Sequence, residues 1–371
     1  MFDKGFLRAL IPRTAKSGTC NMLAAMVYAQ NYDNLCNETH KFSIIELANF
    51  VDMTPWHRLG FTSANATIIE AVEGYSLVHI VDLSTTHCMQ IPTLIDAIAN
   101  HLEGPPLVKV TVAGAVEDGP PMLDLSYEEL GSKLVNFARS RNIHMEFQAI
   151  SSSYADGFSS LIEQLRMQKL MYSGGIGEPE ALVINCHMML HFVPDETFPL
   201  ISDSEANPNH PFESSSVYSP RLTLLKALRC LDSNVVILVD EDADFTSNNV
   251  ASRLRSAFNY LWIPHDTVDT FLPRGSKQRQ WHESYIYRKI QNVLAQEALQ
   301  RIERLEPKSR WAHRTRNVEF RAVPFGEDTV SEVKAMLDEH GAGWGLKKNE
   351  DDLALTWKGH NVAFATAWLP A

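Results

Sequence analysis

The chain has 371 residues, 45% of them hydrophobic, and a formal net charge of −12 from 33 Lys and Arg against 45 Asp and Glu. This length predicts a large buried core, in one large domain or two interlocked lobes. The negative charge argues against sequence-independent nucleic-acid binding as the main activity. Five scattered cysteines without CxxC spacing indicate a reduced, intracellular compartment and predict small core residues. No apolar run has membrane-spanning length, and we expect no membrane association.

The first 76 residues have a helical pattern. Ser43 and Glu46 have the spacing of a capping box ahead of apolar residues at helical intervals. The Thr54-Pro55 pair predicts a second helix start with proline in the first turn. We expect that second helix to end before Gly74, because glycine adopts the left-handed conformation that closes a helix.

Five apolar runs follow, separated by helical patterns, and this alternation predicts a parallel sheet with helices on both faces. The runs are LVHIVD from Leu77, LVKVTVAG from Leu107, IHMEFQAI from Ile143, EALVINC from Glu180 and NVVILVDED from Asn234. Ser126 and Glu129 form a second capping box between the second and third runs. The polar residues 202–220 predict a loop.

Beyond Phe245 the pattern predicts two long helices, from Asn248 to Leu261 and from Arg279 to Arg304. A compact tail follows, with the strand VEFRAVPF and a helix near residues 331–339. The last two apolar runs, LALTWKGH and VAFATAW, predict an antiparallel strand pair that turns at His360-Asn361.

This order of elements resembles that of class I S-adenosylmethionine methyltransferases, which implies a Rossmann-like α/β fold. In those enzymes the first loop needs glycines for close approach to the ligand, and an acid ending the second strand holds the ribose. Here the loop from Ser84 to His87 has no glycine, and the second strand ends in Val112-Ala113-Gly114, with Glu117 three residues later. We therefore expect the fold without its cofactor, the cleft being filled by side chains. A methyltransferase is the alternative.

Other polar residues give weak catalytic signals. Asp82 is either a relic of ligand binding or, as we favour, a carboxylate that holds the turn after its strand. His79 has the position of a satisfied interior histidine. His187 and His191 lie four residues apart, but HxxxH alone is weak evidence for zinc, and we assign no metal or catalytic site. The cluster Asp240–Asp244 predicts a solvated strand end facing the next helix, with magnesium binding as the less favoured alternative.

Seven cations, against three glutamates, lie between residues 301 and 321 of this acidic chain. They could contact DNA phosphates, with Trp311 available to stack on a base. Alternatively, as we slightly favour, Arg301 and Arg304 pair with acids along a solvated helix. The candidate phosphate-contacting residues are Arg301, Arg304, Lys308, Arg310, Arg314 and Arg316.

Several motifs occur in the order found in one plant family. The stretch VHIVD, which is Val78, His79, Ile80, Val81 and Asp82, is similar to the VHIID motif of the GRAS transcriptional regulators. The preceding stretch FVDMTPWHRLGFTSANATIIEAVEG looks like the approach to that motif in the Short-root and Scarecrow-like branch. YEELGSKLVNFARSRNI resembles the second leucine-rich region, and RLRSAFNYLWIPHDTVDTFL resembles the PFYRE region. The end resembles the SAW region. Here the RE element reads Arg288-Lys289, and the SAW tripeptide is Thr366, Ala367 and Trp368.

The resemblance implies a single GRAS domain over residues 1–371. Its regions would be a shortened leucine-rich region I with a helical cap (1–43), the VHIID region (47–112), leucine-rich region II (128–160), the PFYRE region (181–291) and the SAW region (294–371). The family implies a methyltransferase-like core, nuclear location, and partners that include other GRAS proteins, zinc-finger transcription factors and DNA, with homo- or hetero-dimers. We expect a non-catalytic transcriptional regulator that acts as a protein-protein assembly surface.

Overall fold

The computed structural model describes residues 5–10, 40–101, 104–114, 119–172, 180–196 and 219–371. Within these ranges the strands are β1 (Leu77–Ser84), β2 (Leu107–Ala113), β3 (Met145–Ile150), β4 (Glu180–His187), β5 (Val235–Glu241), β6 (Phe320–Val323), β7 (Trp344–Lys348), β8 (Leu353–Trp357) and β9 (His360–Pro370). They form one sheet in the order β3-β2-β1-β4-β5-β9-β8-β7, and β6 also pairs with β9. Strands β1 to β5 are parallel, and β6 to β9 pair antiparallel. The predicted mostly parallel sheet and C-terminal antiparallel pair are confirmed.

Helices cover both faces of this sheet, as predicted. Besides the helical residues 5–10, the α-helices of the described ranges are α1 (Ile44–Asp52), α2 (Pro55–Val72), α3 (Ile91–His101), α4 (Tyr127–Ser140), α5 (Ser159–Tyr172), α6 (Pro220–Arg229), α7 (Val250–Phe271), α8 (Lys277–Ala295), α9 (Lys308–Asn317) and α10 (Glu327–Asp338). Because side chains alternate along a strand, Val78 and Ile80 enter the core beneath α2, α3 and α4. Val81 and Leu83 enter the opposite core, beneath α5, α6 and α9.

A helical cap lies against the first of these faces, and we use this name for residues 5–10, α1 and α8. The guanidinium of Arg8 lies 6.0 Å from the ring centre of Tyr287. The ring of Phe50 stacks on His282 at 4.2 Å between centroids. Contacts with aromatic rings therefore hold α8 of the helical cap against residues 5–10 and α1.

The predicted helix starts are confirmed where side chains cap the backbone. The Ser43 hydroxyl accepts from the Glu46 amide, and the Glu46 carboxylate accepts from the Ser43 amide. The same reciprocal bonds join Ser126 and Glu129. Gly74 has φ +81°, the left-handed conformation expected of the residue that ends α2.

Three predicted boundaries are wrong. Helix α7 continues through Pro264 to Phe271. Helix α8 ends at Ala295, and residues 301–307 form no helix. The β8–β9 turn is made by Lys358 and Gly359, both with positive φ, instead of His360-Asn361. Two residues with positive φ form the turn that matches the right-handed twist of a hairpin, which explains the shift.

The cysteines follow the prediction only in part. Cys88 and Cys186 are buried, whereas Cys230 is exposed at the end of α6. Cys20 and Cys36 lie outside the described residues, as do most of the predicted loop at 202–220 and of region 1–43. None of the described helices is long and apolar enough to cross a membrane.

Candidate functional site

The carboxylate of Asp82 is bound within the protein at the end of β1. It accepts hydrogen bonds from Ser84 Oγ at 2.6 Å and from Asn185 Nδ2 at 2.8 Å. Burial raises the pKa of Asp82, and the hydrogen bonds from Ser84 and Asn185 oppose that rise. Asp82 therefore holds the turn after β1, as the sequence predicted.

The loop after β1 reaches its conformation without glycine. His87 and Cys88 have φ values of +48° and +65°, in the left-handed region that few side chains adopt. The backbone amide of Thr85, in the same loop, donates to the His187 carbonyl at 3.2 Å. In a nucleotide-binding loop such amides point at the ligand, whereas here this amide is satisfied by the protein itself.

The end of β2 also lacks the features of a ribose site. The strand ends in Ala113-Gly114, and Glu117 lies outside the described residues. A Cβ on Gly114 would lie 1.8 Å from the Tyr127 hydroxyl oxygen, so the tyrosine occupies the space beside the strand end. The absence of a side chain on Gly114 therefore leaves room for the side chain of Tyr127.

Histidines near the sheet pair with protein groups. His79 Nε2 lies 2.8 Å from Thr111 Oγ1, and its Nδ1 lies 3.1 Å from Glu180, as expected of a satisfied interior histidine. His187 Nε2 lies 3.0 Å from Nδ1 of His57. Among the described residues, no three His, Cys, Asp or Glu side chains are grouped to hold a metal ion.

Asp240 and Glu241, the last two residues of β5, are buried, so the predicted solvated strand end is wrong for them, whereas the side chain of Asp244 is 40% exposed. Asp240 and Glu241 are 0% and 4% exposed. Asp240 lies 2.7 Å from His191 Nδ1, and Glu241 forms an ion pair with Lys289. Nζ of Lys289 also lies 3.5 Å from the carboxylate of Glu303, which links the two pairs because Glu303 lies 3.5 Å from His191. These charges are internal because each has an opposite charge beside it.

The predicted basic face is absent at Arg301, Arg304 and Arg314, which are 1%, 1% and 5% exposed. Arg301 donates to a buried backbone carbonyl at 2.7 Å, Arg304 lies 3.0 Å from Asp195, and Arg314 donates to Glu306 at 2.6 Å. A phosphate would have to break these contacts to reach the guanidinium groups. The intrahelical alternative is also wrong, because residues 301–307 are not helical.

The other three candidate cations lie nearer the surface, and each has an acidic partner. Lys308, Arg310 and Arg316 pair with Asp352, Asp244 and Asp351, respectively. The side chains of Arg310 and Arg316 are 37% and 55% exposed. Much of the positive charge of this segment is therefore neutralised locally.

Side chains fill only part of the cleft at the carboxyl ends of the parallel strands. A cavity of about 250 Å³ lies between α1 and the loop after β1. Leu47 and Phe50 of α1 line one side, and Thr85 to His87 line another. The expectation of a filled cleft is therefore wrong at this position.

Comparison with known proteins identifies the family. A model of the GRAS domain family matches residues 4–369. The chain belongs to the GRAS domain family. It is 53% identical over 368 residues to Scarecrow-like protein 32 of Arabidopsis thaliana, covering 98% of this chain and 83% of that protein. It is 26% identical to the Arabidopsis Scarecrow-like transcription factor PAT1, covering 98% and 66%. The crystal structure of SCL7 of Oryza sativa matches with a TM-score of 0.69 at 18% identity, covering 94% and 89%, which supports the fold alone.

The GRAS motifs have structural places in this chain. The VHIID-like residues Val78 to Asp82 lie on β1, the middle strand of the parallel part of the sheet. Lys289 of the altered RE element supplies the buried cation that pairs with Glu241. The RE element of this chain therefore still contributes to an ion pair, although Lys289 stands where the GRAS motif has an acidic residue.

The SAW-like tripeptide lies on β9 and links that strand to β5. Thr366 Oγ1 donates to the Leu238 carbonyl at 3.2 Å and accepts from Trp368 Nε1 at 2.9 Å. Ala367 pairs with Ile237 across the sheet. The threonine thus uses its hydroxyl, the group it shares with the serine of the GRAS motif.

Proposed function

We propose that this GRAS protein is a non-catalytic transcriptional regulator that acts in the nucleus by assembling with other proteins. The observation that carries the proposal is the internal use of Asp82 and of the loop after β1, which leaves the methyltransferase-like fold without its usual cofactor contacts. Family membership and a relative named as a transcription factor support it. The division of the domain into five motif regions stays a prediction.

Exposed apolar side chains on the helical cap and on α7 support protein partners. Leu7, Ile45 and Phe258 are 57%, 75% and 43% exposed. The ring of Phe258 stacks on Phe6 at 4.0 Å between centroids, which fixes it near Leu7. Rigid aromatic and aliphatic anchors of this kind are typical of protein interfaces. We propose that they dock another GRAS protein, in homo- or hetero-dimers, and that zinc-finger transcription factors are further partners.

We propose that DNA is reached mainly through those partners. The buried ion pairs of Arg301, Arg304 and Arg314 leave Arg310 and Arg316 as the more exposed candidates for direct phosphate contact. Replacing both by alanine is expected to lower DNA affinity by less than about tenfold, because each has an acidic partner that already neutralises it. A larger loss, with a flatter salt dependence, would assign direct DNA contact to this segment.

Capture from plant nuclear extract tests the assembly function. The wild-type chain is expected to retain transcription factors, and Phe258→Asp is expected to retain less of them because a charge disrupts an apolar contact. Met167→Asp is the matched control, since Met167 is 47% exposed on α5 at the other face of the sheet. If the wild-type chain retains no transcription factor, the proposal fails.

Calorimetry with S-adenosylmethionine tests the methyltransferase alternative. We expect no saturable heat at millimolar ligand, because the Asp82 carboxylate is bound by Ser84 and Asn185 and β2 ends without an acid. Saturable binding that is abolished by Asp82→Ala would overturn the non-catalytic proposal.

A further inference from the structure

Two cavities lie between the helical cap and the edge of the sheet where the parallel strands end. The cavity of about 250 Å³ lies beside the loop after β1, and a smaller one of about 50 Å³ lies between α8 and the end of β5. Phe50 of α1, Tyr285 of α8 and His57 of α2 line both cavities. Protein interiors are normally packed without such voids, so we expect this boundary to open at a lower free energy than the sheet.

Four histidines meet at this boundary. His57 and His87 line the larger cavity, and His57 and His282 line the smaller one. Nε2 of His187 lies 3.0 Å from Nδ1 of His57. His187 is 0% exposed, and neither its Nδ1 nor Nε2 of His282 forms a hydrogen bond with a described residue. The four imidazoles come from α2, the loop after β1, the end of β4 and α8, so the boundary between cap and sheet passes among them.

The described residues that line the two cavities offer these histidines no free carboxylate. The other ionisable groups in the lining are Glu241 of β5, Lys289 and Tyr285 of α8, and Tyr154 after β3. Glu241 is the one carboxylate among them, and it is already paired with Lys289. A proton on a histidine of this lining would therefore add a buried positive charge that no free carboxylate of the lining balances.

This environment holds the histidines neutral. Burial lowers the pKa of His87 and of His282 to about 4, and burial together with the charges of His282 and Lys289 lowers the pKa of His57 to about 3. Burial, with the charge of His57, also lowers the pKa of His187. A hydrated histidine has a pKa of about 6.5. Below that pH, a state in which water reaches these rings takes up protons that the closed state does not.

We propose that the helical cap is an acid-sensitive element, which separates from this edge of the sheet when the pH falls below about 6.5. Above that pH the histidines are neutral whether the cap is closed or open, and the pair of Lys289 with Glu241 favours the closed state. Below it, each histidine that becomes hydrated increases the open fraction up to about tenfold per pH unit. Because Leu7 and Ile45 lie on the cap, opening also changes the surface offered to partners, a consequence that rests on the proposed function.

Hydrogen exchange of the full chain at about pH 7.5 and about pH 5.5, followed by mass spectrometry, measures opening once the intrinsic exchange rates are corrected for pH. The opening constants of α1 and α8 are expected to be at least about 100-fold larger at the lower pH, since His57 and His282 each contribute about tenfold. Peptides from β4 and β5 should stay more protected than α8 at both pH values. That difference distinguishes opening of the cap from unfolding of the whole chain.

His57→Asn and His282→Phe test the assignment to these two rings. Asparagine retains an amide near the position of the ring nitrogen that contacts the neighbouring histidine, and phenylalanine retains the ring that stacks on Phe50, but neither takes up a proton. Each variant is expected to reduce the ratio of the opening constants at the two pH values about tenfold. His144→Asn is the matched control, because His144 is already exposed in the closed state, and its ratio should equal that of the wild type.

Three outcomes would overturn the proposal. They are a wild-type ratio below about tenfold, loss of protection by α8 and β5 together, and a ratio that both histidine variants leave unchanged. The first two are decided by the wild-type chain, so they do not depend on the folding of a variant. No partner enters this measurement, so its result is independent of the proposed assembly function.

Discussion

Replacing Lys289 by methionine removes a buried charge while keeping most of the side-chain stem. Lys289 is 3% exposed, and its ammonium group pairs with Glu241 and lies 3.5 Å from Glu303. The variant leaves two buried carboxylates with only His191 as a neighbouring cation, and breaking such a pair costs about 3–5 kcal/mol. With about 2.1 cal/mol/K of unfolding entropy per residue, a chain of 371 residues converts about 4 kcal/mol into a fall of about 5 °C in Tm.

Thermal unfolding at neutral pH, followed by circular dichroism, measures this difference. Arg288→Met is the matched control, because Arg288 is the preceding residue on α8 and is only half-buried. We expect the control to shift Tm by no more than about 1 °C. Adding Glu241→Met to Lys289→Met should recover at least about half of the loss, since the pair is then replaced by apolar groups. Equal midpoints for the two single variants would refute the reasoning, as would a double variant no better than Lys289→Met.

Three further predictions concern buried contacts. Burial lowers the pKa of His191, but its two carboxylate partners outweigh this and raise the pKa to about 9. The stabilisation by protonated His191 is therefore complete below the unfolded-state pKa of about 6.5 and is lost as pH rises through about 9. The free energy of unfolding, measured with urea, should fall over this pH range in the wild type and fall less in His191→Gln. Gly60→Ala places a Cβ 2.4 Å from His187 Cε1 and should destabilise by about 1–3 kcal/mol, whereas wild-type stability would contradict this packing. Arg304→Ala should lower the free energy of unfolding by about 3–5 kcal/mol, and Arg316→Ala, at a more exposed residue, by less than about 1 kcal/mol. Equal urea midpoints for the two variants would contradict the prediction that the buried ion pair contributes more.

The sheet and the helix starts could be predicted because their causes are local. Runs such as Val235 to Val239 are apolar on both faces, as strands covered on both sides require. The bonds of Ser43 and Ser126 involve residues three positions away, so their spacing alone indicates them. The role of Asp82 followed from its place at the end of such a strand.

The fate of the charged residues could not be predicted, because their partners are distant in sequence. Arg304 pairs with Asp195, and Lys289 pairs with Glu241. The sequence does not show that these distant segments come together in the fold. Residues 301–304 have helical spacing, but these buried contacts override local propensity. The burial of Asp240 and Glu241 could not be predicted for the same reason. An acidic residue at a strand end is expected to be solvated when the sequence does not reveal its partner.

The His57–His187 contact was missed for a similar reason, although one signal was present. The two histidines are 130 residues apart. Gly60 lies within α2, where glycine costs about 1 kcal/mol relative to alanine, and such a residue indicates a close neighbour. That neighbour is the His187 ring.

The central position of β9 determines when the sheet can close during synthesis. Strand β5 ends at Glu241, and β9, which covers its free edge, begins at His360. At about 5–20 residues per second, the translating ribosome leaves that edge open for roughly 6–24 s. An unpaired edge can pair with another chain. The nascent protein therefore passes through an interval in which it is open to misassembly, and chaperone occupancy on the ribosome should peak there.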